Sequence, residues 1–342
     1  MKNPTLSKSD FTLARSCAKK LIYKKANYPT TLEGNEFMEL LAEGGYLIGK
    51  YATLHYPEGI EISGSQQDAL QLTKQYLQDN EDIVLFEAAI LADQKLVRVD
   101  ILEKKGRVLN LIEVKAKSFD GEAIDPYKGL NDYLEDVGYQ RIVLKEAYPD
   151  YLINSFLFLP DKSKRLQIDQ LLGWFESKDP ENDVFTKFRK PEVRFIYERQ
   201  GTVSDEHQLL LDNSLMTLLP VDDQLDKLEP GLKNAAAGFL RILNEGIQDT
   251  DHELSKVCYK CEYRTASGDA KNGYRECFGA LADIEPSLSD LYYFGTVGGS
   301  KKPLVNELTA FQWSCHTIDH PDAVCQEKKG LNIHAWCIIF EN

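Results

Sequence analysis

The sequence predicts a mixed α/β protein whose sheet core is centred on residues 80 to 200, with helical N- and C-terminal segments around it. The runs "DIVLFEAAIL", "KLVRVDIL" and "VLNLIEVKA" are short and rich in β-branched and aliphatic residues. Asp-Gln and Lys-Lys-Gly turn signals separate them, as an antiparallel meander requires. The flanking stretches return to helical periodicity. A chain of 342 residues, 43% hydrophobic and 27% charged, is long enough for a sizeable core and two structural units.

The first helix is expected in "LSKSDFTLARSCAKKLIYKK", with Ser7 or Ser9 as N-cap and Phe11, Ala14, Leu21 and Ile22 at roughly helical spacing. A second spans residues 34 to 53, with Gly44 and Gly45 as its weak point. "SQQDALQLTKQYLQ" reads as a third, and the meander follows. "YKGLNDYLEDVGYQRIVLKEAY" is helical again, and "NSFLFLP" and "PEVRFIYERQG" read as further strands. From about 220 to 285 the pattern is mostly helical, with a group of cysteines in the loops. The Gly- and polar-rich stretch from about 295 reads as a linker and a short appendage. The expected division is therefore a helical segment 1–80, a core 81–215, a second helical segment 216–294 and the appendage 295–342. No internal repeat or low-complexity segment interrupts it.

Charge and hydropathy narrow the function. Lys and Arg number 40 and Asp and Glu 54, a formal balance of −14. Such a protein has no general attraction to a polyanion, which argues against strong nonspecific nucleic-acid binding. A nucleic-acid enzyme of this charge needs a local basic groove, bound cations or a partner with a basic surface. No run approaches the roughly 20 apolar residues of a membrane helix. The start has no apolar core like that of a secretory signal. A cytoplasmic protein with no membrane partner is expected. Its seven cysteines, an odd number, are then expected as thiols rather than disulfides.

The candidate chemistry lies in the meander. Glu113 and Lys115 are two positions apart on one strand and so point the same way. Asp100 precedes them across the Lys104–Gly106 turn, where antiparallel pairing brings its carboxylate toward Glu113. Charged residues also alternate along ordinary solvent-facing strands, and Asp followed by Glu-x-Lys is common. Here, however, "VRVDIL" and "NLIEVKA" surround the two acids with aliphatic residues, and burying carboxylates is costly unless something pairs with them. Converging carboxylates suit Mg²⁺ or Mn²⁺. Such an ion polarises a phosphate and activates water, while Lys115 orients the nucleophile or stabilises developing charge. Glu87, in "VLFEAAIL", is a candidate third ligand or orienting base. Asp136 and Gln140 share one helix face, either as an ordinary exposed face or with Gln140 beside the metal.

A second constellation is Cys258-x2-Cys261 followed by Cys277, with Cys17 as the natural fourth ligand. Four thiolates suit zinc and an iron–sulfur cluster equally. The other reading of Cys17 is a small buried hydrophobe. Cys315, His316, His320, Cys325, His334 and Cys337 match no standard zinc finger and read as scattered residues of a tail.

Together these features resemble the PD-(D/E)XK nuclease superfamily, in its RecB/Cas4-like branch with an iron–sulfur clasp. The nearer resemblance is to the nuclease-like N-terminal part of the bacterial DUF2779 proteins. It rests on "LSKSDFTLARSCAKKLIY", "LVRVDIL", "LIEVKAKS" and "DVGYQRIVL", in that order, and covers roughly residues 5 to 295. It implies a restriction-endonuclease-like mixed sheet flanked by helices, with the terminal segments joined through a four-Cys metal cluster. It also implies Asp100 and Glu113 as ligands of Mg²⁺ or Mn²⁺, Lys115 as the catalytic lysine and Gln140 as the residue that positions substrate. Cys17, Cys258, Cys261 and Cys277 then hold a 4Fe–4S cluster that is mainly structural. Three departures stand out. The family's N-terminal metal-binding His has only Glu43 or His55 as counterparts. The usual Gln-x3-Tyr is Gln140-x3-Leu144. The second nuclease-like domain of many relatives is missing from this sequence. The expected function is a metal-dependent DNA nuclease, an exonuclease on single-stranded DNA ends, in repair, recombination or defence. The alternative is a catalytically inactive, nuclease-like scaffold or DNA-binding subunit of a larger complex.

Overall fold

The computed structural model describes residues 4–32, 35–178, 192–199, 202–248, 254, 256–265, 270–279 and 282. The expected appendage from about 295, with Cys315, Cys325 and Cys337, lies outside these. The chain divides into two compact units, Met1–Ile22 with Gly34–Gln248 and Tyr23–Glu33 with Asp249–Asn342.

The first unit is an α/β layer structure around a mixed seven-stranded sheet. Its meander forms as expected from β3 (Asp82–Ala92), β4 (Lys95–Lys105) and β5 (Val108–Val114), all antiparallel. Asp93 and Gln94 turn β3 into β4 with both φ angles positive, 43° and 62°, the twist a tight hairpin needs. Gly106, at φ 54°, does the same service between β4 and β5. The chain then crosses over through α5 (Asn131–Ala147) to β6 (Leu152–Pro160), which lies parallel to β5. β9 (Met216–Pro220) closes that edge antiparallel to β6. Two short strands complete the sheet: β2 (Ile60–Glu61) beside β3 and β1 (Leu6–Ser7) beside the start of β4. β1, β2 and β9 are not among the expected strands, because two- and five-residue segments are too short to show a period.

One face of the sheet carries α1 (Lys8–Ser16), α4 (Gln66–Asp79) and α5, with α7 (Asp222–Glu245) packed over α5. Residues 136 to 144 of α5 are all buried, because sheet and α7 cover opposite sides of the helix. Gly138 makes the close approach possible: a Cβ there would come within 2.4 Å of the Leu232 side chain. The other face holds α3 (Glu36–Thr53), α6 (Asp205–Asp212) and a separate two-stranded sheet of β7 (Phe175–Lys178) and β8 (Glu192–Phe195). "PEVRFIYERQG" therefore supplies only a four-residue strand, outside the main sheet.

The first helix departs from expectation. Ser7 caps α1 in a reciprocal box with Asp10, but the helix ends at Cys17, whose backbone is extended (φ −168°, ψ 123°). A second helix, α2 (Ala18–Lys25), follows. Cys17 is thus a joint between helices rather than a residue within one. Tyr139 on α5 fixes α1 in place by stacking on Phe11, with ring centroids 4.3 Å apart, and by donating a hydrogen bond to the Leu6 carbonyl.

The second unit contains a 3₁₀ turn at Lys256–Lys260 and α8 (Gly273–Phe278). Among the described residues no helix is long and apolar enough to cross a membrane.

Candidate active site

The site forms where β4 changes partners. Its first residues pair with β1 and its last five with β5, so the two neighbours diverge from it midway. The register of β3 and β4, carried one step past Phe86–Ile101, sets Glu87 opposite Asp100. That of β4 and β5, carried past Ile101–Ile112, sets Asp100 opposite Glu113. Three carboxylates therefore form a row across three strands at one level of the sheet.

The backbone bends to make this row. Glu87 has φ 55°, a left-handed conformation that costs an L residue about 1–2 kcal/mol inside a strand. Before it, Ile83 and Leu85 face the α5 side; after it, Ala88 and Ile90 do. The alternation slips by one residue at Glu87. β4 shows the matching slip, since Val97, Val99 and Leu102 face α5 while Ile101 faces α3. Backbone strain of this kind collects at functional sites.

Glu113 is the hub. Its carboxylate, 1% exposed, accepts from the Lys8 ammonium at 2.9 and 3.0 Å and from Gln140 Nε2 at 2.6 Å, and pairs with Lys115 Nζ at 2.9 Å. Lys115 also reaches Asp136 at 2.7 Å, and Thr12 donates to the other oxygen of Asp136 at 2.7 Å. Asp100 accepts from the Val114 backbone N–H at 2.8 Å. The four residues expected from the sequence, Asp100, Glu113, Lys115 and Gln140, are brought together. Lys8, Thr12 and Asp136 join them. Nothing in "LSKSDF" marks Lys8 as special, and the spacing of Asp136 and Gln140 gave only a shared helix face.

Electrostatics set the protonation states. Burial, and then the nearby Glu113, push the Asp100 carboxyl well above the usual carboxylate range. Burial pushes Glu113 up as well, but Lys8, Lys115 and the Gln140 hydrogen bond outweigh it and hold Glu113 low. Lys115 feels the opposite balance: burial lowers it, while Glu113 and Asp136 raise it above its ordinary value. It is therefore an ammonium at neutral pH, suited to stabilising negative charge and unable to act as a base.

The two N-terminal candidates for a metal-binding residue lie elsewhere. His55 belongs to the α3 face, with one ring nitrogen 2.6 Å from Ser214 Oγ, the other 3.1 Å from the Tyr51 carbonyl oxygen, and its ring against Phe158. Glu43 is exposed on α3. No family model matches the chain, and no curated protein does.

Two observations decide whether the carboxylate row fits a divalent cation. Burial and the neighbouring Glu113 disfavour the Asp100 anion, and a doubly charged ion of oxygen-seeking character offsets both. Gln140 is fully buried, yet its Oε1 has no partner among the described residues. An acceptor left this way suits the hydration shell of a bound ion. Among the described residues, no three His, Cys, Asp or Glu side chains are gathered closely enough to hold an ion as they stand. Lys115 bridges Glu113 and Asp136 instead, and Lys8 sits on Glu113.

In the second unit, Cys258 sits in the 3₁₀ turn and Cys277 on α8, not in a loop; both pack against Tyr274 and Phe278. Cys261 follows the turn, its N–H donating to the Cys258 carbonyl at 3.3 Å. The Tyr23 hydroxyl lies 3.3 Å from Cys277 Sγ and donates to the Gly273 carbonyl. Cys17 belongs to the first unit.

Proposed function

We propose that this protein is a Mg²⁺- or Mn²⁺-dependent DNA nuclease of the PD-(D/E)XK type. The observation that carries the reading is the meeting of Asp100, Glu113, Lys115 and Gln140 at the fork of β4 and β5. Supporting it is the succession of α4, three antiparallel strands, α5 and a parallel β6, the order expected of a restriction-endonuclease-like core. Asp100 and Glu113 would hold the ion, with Glu87 completing or orienting the set. When bound, the ion supplies Lewis-acid polarisation of the phosphate and a water of lowered pKa. The chain's own residues do the rest. Lys115, fixed by Glu113 and Asp136, stabilises charge developing on the phosphate oxygens, and Gln140 orients Glu113 and the neighbouring solvent. Thr12 holds Asp136, and through it Lys115.

A 4Fe–4S cluster on Cys17, Cys258, Cys261 and Cys277 belongs to the same proposal. Its support is the thiolate donor set and the sequence pattern. Single-stranded DNA ends are the proposed substrate and the cytoplasm the proposed location.

The test uses full-length protein purified without oxygen, labelled single- and double-stranded DNA, and Mg²⁺ or Mn²⁺. Asp100→Asn is expected to lose cleavage by about 10²-fold or more while keeping the wild-type circular dichroism spectrum, because a metal ligand is lost and the fold is not. Equal cleavage by both proteins, or none by the wild type, would leave a non-catalytic scaffold as the better reading.

A further inference from the structure

Lys8 has no part in the nuclease reading, yet its ammonium sits directly on that reading's central ligand. Its ammonium contacts both oxygens of Glu113, at 2.9 and 3.0 Å, the two-oxygen grip a cation takes on a carboxylate. The lysine is 24% exposed and Glu113 only 1%, so the side chain reaches inward from the surface to a group that solvent barely touches. Lys8 also lines an open groove of about 460 Å³, together with Ser9, Thr12, Leu13, Ser16 and Asp136. Those α1 residues lie on one face of the helix, at spacings of three to four. Lys8 therefore has a place to go when it leaves Glu113.

Charge makes the contact consequential. Around Glu113 stand Asp100 and Asp136 as further acids and, among the described residues, Lys115 as the other ammonium in contact with it. Without Lys8 the site would carry an excess of buried negative charge, which is costly. With Lys8 in place, an incoming divalent ion meets a cation already on its ligand.

We propose that Lys8 is the internal counter-ion of this site, occupying Glu113 until a divalent ion displaces its ammonium into the α1 groove. The inference rests on the metal reading above. It makes Lys8 a positioning residue that sets how tightly the ion binds, in competition with it. The lysine stabilises the ion-free protein and weakens ion affinity by the same interaction.

The experiment measures Mn²⁺ binding to full-length protein without DNA, following free Mn²⁺ by electron paramagnetic resonance. Lys8→Met, which keeps the aliphatic stem and removes the charge, is expected to bind Mn²⁺ about tenfold more tightly than wild type, or more, since a neighbouring positive charge is gone. Lys8→Gln, which keeps a hydrogen bond to Glu113, is expected to do the same and serves if Lys8→Met fails to fold. Unchanged or weaker binding in the variants, beside measurable binding in the wild type, overturns the inference and leaves the metal site standing. If neither wild type nor variant binds Mn²⁺, the metal reading itself falls, and the counter-ion role with it.

Discussion

Glu113→Gln is expected, unlike Asp100→Asn, to destabilise the protein and, on the nuclease reading proposed above, to abolish divalent-metal-dependent cleavage. The carboxylate of Glu113 is 1% exposed and neutralises two ammoniums at once, Lys8 and Lys115. A neutral amide there leaves both cations facing each other beside Gln140. Removing one partner of a buried ion pair costs about 3–5 kcal/mol. In a protein of this size that lowers the melting temperature by roughly 4–7 °C. Asp100 stands in the opposite position. Its charge is opposed by burial and by Glu113, so an asparagine that still accepts from the Val114 N–H relieves repulsion. Calorimetry in EDTA should therefore find Asp100→Asn at least as stable as wild type and Glu113→Gln clearly less so, with both inactive. Equal melting temperatures for the two variants would mean that Glu113 is not the hub the distances describe.

Arg141→Met is expected to be the most destabilising change away from the site. Arg141 lies on α5 at 2% exposure, and its guanidinium meets three acids of α7: Asp222 at 3.2 Å, Asp226, and Glu229 at 2.7 Å. Those acids are four and three residues apart, on one face of α7. Methionine fills similar volume but removes the buried cation that the three carboxylates share, leaving Glu229 with Lys145 and Lys233. The loss is about 3 kcal/mol, the low end for a buried pair. Urea unfolding followed by circular dichroism measures it, and a loss under about 1 kcal/mol would class the cluster with ordinary surface pairs.

The same cluster gives a pH dependence. Burial pushes Glu229 up, but its hydrogen bonds to Lys145, Lys233 and Arg141 outweigh that and hold it down at about 2, against an ordinary 4.5. Because the folded value is the lower one, the stabilisation is fully present above about pH 4.5 and drains away as pH falls toward 2. The stability difference between wild type and Glu229→Gln should shrink over that window. A constant difference would contradict it.

What was legible in the sequence follows from length scale. Asp100, Glu113 and Lys115 could be read because an acid among aliphatic residues is a local anomaly, and a hairpin brings near neighbours together. The meander and α5 were legible for the same reason. Lys8 was not, because a lysine at the start of a polar helix is ordinary until its partner is known, and that partner is 105 residues away. The left-handed backbone at Glu87 was hidden inside a run that reads as uninterrupted strand. The break at Cys17 was hidden too, since Arg15 to Lys20 carries no glycine or proline to announce it.

The contacts that dock α1 share one property. Lys8 with Glu113, Thr12 with Asp136 and Arg15 with Glu135 span 105, 124 and 120 positions. The carboxylate row, by contrast, belongs to three consecutive strands. During synthesis the stretch "LSKSDF" leaves the ribosome more than a hundred residues before its partners do. The local pairing of the three strands is expected to form faster than the closure that brings Lys8 across 105 positions to Glu113. Until that closure Glu113 has Lys115 as its cation and lacks Lys8.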